Sequence, residues 1–120
     1  MPKIAAVTIY GIANCDTVRK ARAWLDAREV PYRFHDYRAL GIERARVETW
    51  IKALGWESVL NKASMTFKEL PEAEKLGLDA KKALGLALAN PTMIKRPMLD
   101  LGGRLIAGFR PDVYADAFAR

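Results

Sequence analysis

The sequence predicts an α/β protein with a mixed four-stranded sheet flanked by helices and a helical insertion between strands 2 and 3. Three observations carry that expectation. The β-branched apolar run Ile4–Tyr10 is followed by a helical pattern and then by a second, alternating run. The stretch from about 39 to 90 has helical texture and no strand. Two short apolar runs then flank Gly102-Gly103 ahead of a last helix. The 120 residues, 51% hydrophobic, suffice for one core and not for two conventional domains. One domain over 1–120 is therefore expected, with its core at about 1–38 and 91–120 and the insertion at about 39–90.

Ile4–Tyr10, closed by Gly11, reads as a strand buried on both faces. Val18, Ala21, Trp24 and Leu25 then recur at helical spacing, with Arg19, Lys20, Arg22 and Asp26 opposite, so a helix runs from near Cys15 to near Val30-Pro31. Asn14 is the expected N-cap, with Asp16 and Thr17 in the first turn. Tyr32–Tyr37 alternates like a strand, and one helical crossover makes it parallel to the first. Val47, Trp50, Ile51 and Leu54 form a stripe that stops at Gly55, and Trp56–Asn61 reads as a short helix or turn. Thr66–Glu69 has capping-box spacing, and Asp79 caps a helix that turns Ala83, Leu84, Ala87 and Leu88 inward until Asn90-Pro91 stops it. Met98–Leu101 and Arg104–Ala107 make a tight hairpin. Pro111 starts a final helix with Val113, Tyr114, Ala117 and Phe118 on one face.

Composition narrows the function. The net charge of +6 is spread among 14 acids, a pattern of solvated faces whose modest positive field would also steer anionic ligands. No basic block, zinc-finger spacing or aromatic RNA-binding repeat points to nucleic acid. No apolar run approaches a membrane span, and Met1–Ile4 lacks the features of a secretory signal, so a cytoplasmic protein is expected. One Cys and one His cannot supply a zinc site, and His35, inside a strand pattern, reads as structural. Trp50, Trp56 and Phe67 read as core of the insertion.

Cys15 is the chain's one cysteine, and a lone cysteine is as a rule a small buried hydrophobe. Its place at a helix start points to a different role, because unpaired backbone N–H groups and the positive end of the helix dipole favour thiolate over thiol. No second sulfur exists for an internal disulfide, so a redox cycle must draw its resolving thiol from another molecule. The element order β-α-β, helices, β-β-α, with this cysteine on the first helix, is the thioredoxin-like plan with an insertion in its middle.

Five blocks, in order, carry a more specific likeness: Tyr10–Ala21, Phe34–Arg38, Leu60–Lys62, Ile94–Pro97 and Gly108–Arg110. By these the chain resembles the arsenate reductase (ArsC)/Spx family, and most closely its YffB-like branch. The resemblance implies a thioredoxin-like fold, Cys15 as nucleophile, and basic residues holding an anion beside it. Of three arginines that the arsenate reductases use for this, two match Arg96 and Arg110, and the third position falls on Asn61, beside Lys62. The histidine four residues before their cysteine is Gly11 here. Pro97 matches the cis-proline that faces the cysteine, and Arg19, one turn after Cys15, is a further candidate for the pocket.

The function expected on this basis is a glutathione-dependent thiol reductase or arsenate-reductase-like oxidoreductase. Cys15 would act as nucleophile, and Arg96, Arg110, Lys62 and Asn61 would line a pocket for an anionic small molecule or a mixed disulfide. No cofactor is resident; glutathione, or a glutaredoxin-like partner, is the expected reductant. The rival expectation is a non-enzymatic Spx-like regulator that binds RNA polymerase, and a third is a glutathione-binding protein without turnover. Spx proteins typically carry a CxxC switch, whose second position is Val18 here.

Overall fold

A computed structural model describes residues 7–119. Ile4, Ala5 and Ala6 of the first expected strand lie outside the described residues; the rest of that strand, β1, is Thr8–Gly11. The chain groups into two compact units: residues up to Tyr37 together with those from Arg96 onward, and Arg38–Lys95.

The first unit is built on a four-stranded sheet of order β2-β1-β3-β4, where β2 is Arg33–Asp36, β3 is Met98–Asp100 and β4 is Leu105–Ala107. β1 pairs in parallel with β2 and antiparallel with β3, and β3 with β4 antiparallel. β1 is thus a central strand, which is why Ile9, Tyr10 and Gly11 are all buried. Helix α1, Asp16–Ala27, turns Val18, Ala21 and Leu25 inward. Ala21 and Leu25 join Val7, Ile9, Leu99, Ile106 and Tyr114 in one apolar cluster, where each fully buried aliphatic chain stabilises by about 1.5–3 kcal/mol. Arg22 and Arg28 lie over the rings of Phe34 and Trp24 at 4.1 and 3.9 Å, so part of the dispersed positive charge is held against aromatic faces.

Several local boundaries differ from the expected ones. Cys15, not Asn14, is the N-cap of α1: its backbone is extended (φ −146°, ψ 124°), and its carbonyl accepts from Arg19 N–H at 2.9 Å as the first helical bond. α1 ends at Ala27 rather than near Val30, because Glu29 turns left-handed (φ 57°) and Val30 N–H closes back on Leu25 O. Tyr37 is not in the strand. β2 stops at Asp36, opposite Gly11, where its partner strand also ends, and Tyr37 opens a short helix α2, Tyr37–Leu40.

The tight hairpin between β3 and β4 forms as expected, with Leu101 N–H bonded to Arg104 O and Gly102 at φ 94° in the first central position, where a side chain would be strained. Helix α7, Pro111–Phe118, has proline in its first turn and buries Tyr114.

The second unit is helical. It contains α3, Arg44–Leu54; α4, Trp56–Val59; α5, Met65–Lys68; and α6, Ala80–Ala89, with 3₁₀ turns at Glu72–Lys75 and Pro91–Met93. Trp50 is fully buried, and Phe67 packs in a cluster with Leu60, Ala83, Leu86 and Met93 against which Trp56 leans. Asp79 caps α6 by accepting from Lys82 N–H at 2.8 Å. Within α6, Leu86 is buried and Leu88 only half-buried. The capping box expected at Thr66 is replaced by a cap two residues earlier: buried Ser64 accepts from Phe67 N–H at 3.2 Å, while Thr66 Oγ1 bonds Thr92 Oγ1. Among the described residues no helix is long and apolar enough to cross a membrane.

Candidate active site around Cys15

The polypeptide leaves β1 at Gly11 and reaches the helix start at Cys15 in four residues. This short path demands close packing. A Cβ on Gly11 would lie 2.8 Å from Cγ2 of Val18, a β-branched side chain with little rotamer freedom, so strand and helix can approach only with glycine at 11. The position where the arsenate reductases carry histidine is therefore filled by Val18, the residue that also occupies the second place of a CxxC. From the other side, the Asp36 carboxylate accepts from Ala13 N–H at 3.2 Å and ties the loop before Cys15 to the end of β2.

Cys15 is half-buried and free. Burial raises its pKa, but the Val18 N–H, a hydrogen bond and charge from the Arg96 guanidinium, and the Thr17 N–H together outweigh burial and hold the thiol below its ordinary value. The sulfur thus sits at the start of α1, where the first backbone N–H groups lack helical partners and favour the thiolate. Arg96 is itself half-buried. Desolvation lowers its pKa, and the contacts with Cys15 and Tyr37 more than reverse this, so it stays a cation. Its peptide bond to buried Pro97 is cis. Gly108 N–H donates to Pro97 O at 2.8 Å, which brings the segment leading into α7 beside the proline.

The other expected site residues fall elsewhere. Arg110 is the N-cap of α7, exposed, and its guanidinium donates to Asp112 at 3.2 Å. Arg19 pairs with Asp16 and reaches the Ala13 carbonyl and Asn14 Oδ1 at 3.5 and 3.4 Å, clasping the loop around the helix start with more than half of its side chain exposed. Asn14 thus serves as an acceptor for Arg19 rather than as a cap. Asn61 and Lys62 belong to the helical unit, where Asn61 Oδ1 accepts from Ala63 N–H and Lys62 is exposed. An open groove of about 820 Å³ between α3 and α6 is edged by Arg44, Lys52 and Lys81 and does not include Cys15. Among the described residues no group of three His, Cys, Asp or Glu side chains could hold a metal ion.

Two residues of the site escaped the sequence reading, although both lie in the Phe34–Arg38 block. Asp36 is one. The other is Tyr37, buried, whose phenol is pushed by desolvation well above the usual range, with Arg96 opposing that shift. Polar ends on a strand-like alternation were the available signal, but they read as ordinary strand residues.

The model of the ArsC family matches residues 10–117, nearly the whole chain. The chain belongs to the ArsC family. Among solved structures, this ArsC-family protein is similar to one described as YffB (PA3664) protein, with 54% identity, a TM-score of 0.92 and coverage of 94% of this chain and 99% of the other. It is also similar to an arsenate reductase (ArsC) related protein from Brucella melitensis, at 43% identity and TM-score 0.77 over the full length of both chains. The global transcriptional regulator Spx of Enterococcus faecalis is 30% identical over 109 residues, covering 88% of this ArsC-family chain and 81% of the regulator. The expected fold and family are both found.

Proposed function

We propose that the protein is a thiol-dependent oxidoreductase in which Cys15 is the nucleophile and glutathione, or a glutaredoxin-like partner, supplies the second thiol. The observation that supports this most is Cys15 at a helix N-cap, its thiol held below the ordinary value against burial by the Val18 N–H, Arg96 and the Thr17 N–H. In the proposed cycle the Cys15 thiolate attacks the glutathione sulfur of a mixed disulfide, releasing the substrate thiolate and leaving a Cys15–glutathione disulfide. A glutathione thiolate then attacks that disulfide, giving oxidised glutathione and regenerating Cys15 thiolate. Arg96 stabilises the thiolate that enters the first step and leaves in the second. Arg110, Arg19, Lys62 and Asn61 are proposed anion-binding residues, with Pro97 and Asn14 as structural members of the site. Replacing the third arginine by Asn61 removes a charge-assisted contact of about 1.5–3 kcal/mol, so arsenate should be bound more weakly than in a three-arginine site.

The test is turnover of a glutathionylated peptide and of arsenate with glutathione as reductant, together with Cys15 alkylation as a function of pH. We expect a thiol midpoint below the ordinary value and glutathionylated peptide turned over faster than arsenate. A Cys15 that titrates as an ordinary thiol, with neither substrate consumed, would overturn the proposal.

The Enterococcus relative favours a second reading, a regulator that binds RNA polymerase. With fully buried Val18 at the second CxxC position the redox switch of such a regulator is missing. Stoichiometric retention of polymerase from lysate would support it over the enzyme.

A further inference from the structure

The loop that carries Cys15 has little of its own to hold it. Ala13 and Asn14 are exposed, lie outside helix and strand, and make no backbone–backbone hydrogen bond among the described residues. β1 ends at Gly11 and α1 is capped by Cys15, so residues 12–14 alone set the cysteine's approach to the helix. Ile12 is buried and fixes the near end. The Ala13 residue is then held from two sides. Its N–H donates to Asp36 Oδ2 at 3.2 Å, within the ordinary range, and its carbonyl accepts from the Arg19 guanidinium at a longer 3.5 Å. Arg19 also reaches Asn14 Oδ1 at 3.4 Å and pairs with Asp16, but with more than half of its side chain exposed these contacts are weak. The Asp36 bond is the firmer hold, because its acceptor is a carboxylate fixed to the sheet: Asp36 is half-buried, ends β2 and stands in parallel register with Gly11.

We propose that Asp36 is a positioning residue of the thiol site: by accepting from Ala13 N–H it fixes the loop so that Cys15 enters α1 as its N-cap, with the sulfur at the helix start. This deepens the thiol-oxidoreductase reading and rests on it for its importance to turnover, though not for its effect on the thiol. Asp36 acts through geometry and against its own charge. A carboxylate in the neighbourhood of a thiol disfavours the thiolate, whereas a well-placed helix start favours it. The two effects of the residue therefore have opposite signs, and a titration separates them. Asp16 and Arg19 of α1 also carry charge at this loop, and Arg96 acts on the thiol itself; all three are kept in every variant below.

The experiment measures the pH midpoint of Cys15 alkylation by iodoacetamide, a neutral reagent, in the full chain. Wild type is compared with Asp36→Ala, with Asp36→Asn, and with a chain carrying lactic acid in place of Ala13, an ester that lacks the N–H donor and keeps every side chain. Melting temperatures are recorded alongside, since a loss of stability alone leaves the midpoint in place. Asp36→Ala should raise the midpoint by about half a pH unit or more, because the freed loop lets the sulfur leave the Val18 and Thr17 N–H groups. Asp36→Asn keeps a side-chain oxygen that can accept from Ala13, so its midpoint should stay at or below the wild-type value. The ester should give an upward shift like that of Asp36→Ala, and adding Asp36→Ala to it should raise the midpoint no further. If Asp36→Ala folds too poorly to titrate, the ester alone decides. An unchanged or lowered midpoint in Asp36→Ala or in the ester would overturn the proposal, and so would an Asp36→Asn midpoint raised as far as that of Asp36→Ala. Absence of turnover by wild type with these shifts intact would instead remove the enzymatic reading and leave the positioning role of Asp36 standing.

Discussion

At the scale of single residues, the chemistry depends on balances at Cys15 and Gly11. The thiol is raised by burial and lowered by the Val18 N–H, Arg96 and the Thr17 N–H, and the lowering contributions win. Arg96→Lys should therefore raise the alkylation midpoint less than Arg96→Gln, because it keeps a charge but loses the planar, two-sided donor set. The same shift links to stability. A native value below the unfolded value of about 8.5 means that thiolate stabilisation is fully present above that pH and is lost as the pH falls through the native value. Urea unfolding midpoints should rise with pH across this window in wild type, and the rise should be flattened in Cys15→Ser. Gly11 is governed by contact instead of charge. Gly11→Ala brings a Cβ to 2.8 Å from Val18 and should cost about 1–3 kcal/mol in urea unfolding. Val18→Ala should recover part of that loss in the double variant, since the clash then has no partner. That the histidine position is glycine is thus a packing requirement of this chain as much as the lack of a supporting group.

At the scale of elements, sequence patterns located helices and strands well and their ends less well. The periodicity of α1, α3 and α6, the Asp79 cap, the stop at Gly55 and the Gly102-Gly103 turn were all legible, because each depends on residues within a few positions of one another. Asp79→Ala should destabilise by about 1 kcal/mol in chemical denaturation, with the change in amide exchange confined to the first turn of α6. The end of α1 is set locally, by left-handed Glu29 and the return of Val30 N–H to Leu25 O, whereas two other differences involve partners distant in sequence. β2 stops at Asp36 because β1 has no residue to pair beyond Gly11, and that stop releases Tyr37 from the strand. Ser64 rather than Thr66 caps α5, and the Thr66 hydroxyl meets Thr92, 26 residues away.

At the scale of the whole chain, one cysteine in 120 residues determines the form of any redox cycle. Intact-mass measurement after exposure to oxidised glutathione should show a single adduct on wild type and none on Cys15→Ser. The adduct should persist on dilution and clear only on addition of an external thiol. Fold class, the β-α-β, helices, β-β-α order and the thiol's place at a helix start were determined by the sequence itself, since they depend on hydrophobic period, turn residues and counting. Which groups meet at the sulfur was decided only by tertiary structure. The parallel register of β1 and β2 sets Asp36 beside the loop, Tyr37 just past the strand end is packed inward, and Arg96 arrives from the opposite end of the chain. Contacts among residues 15, 37 and 96 follow from sheet order and burial, and no local pattern encodes them.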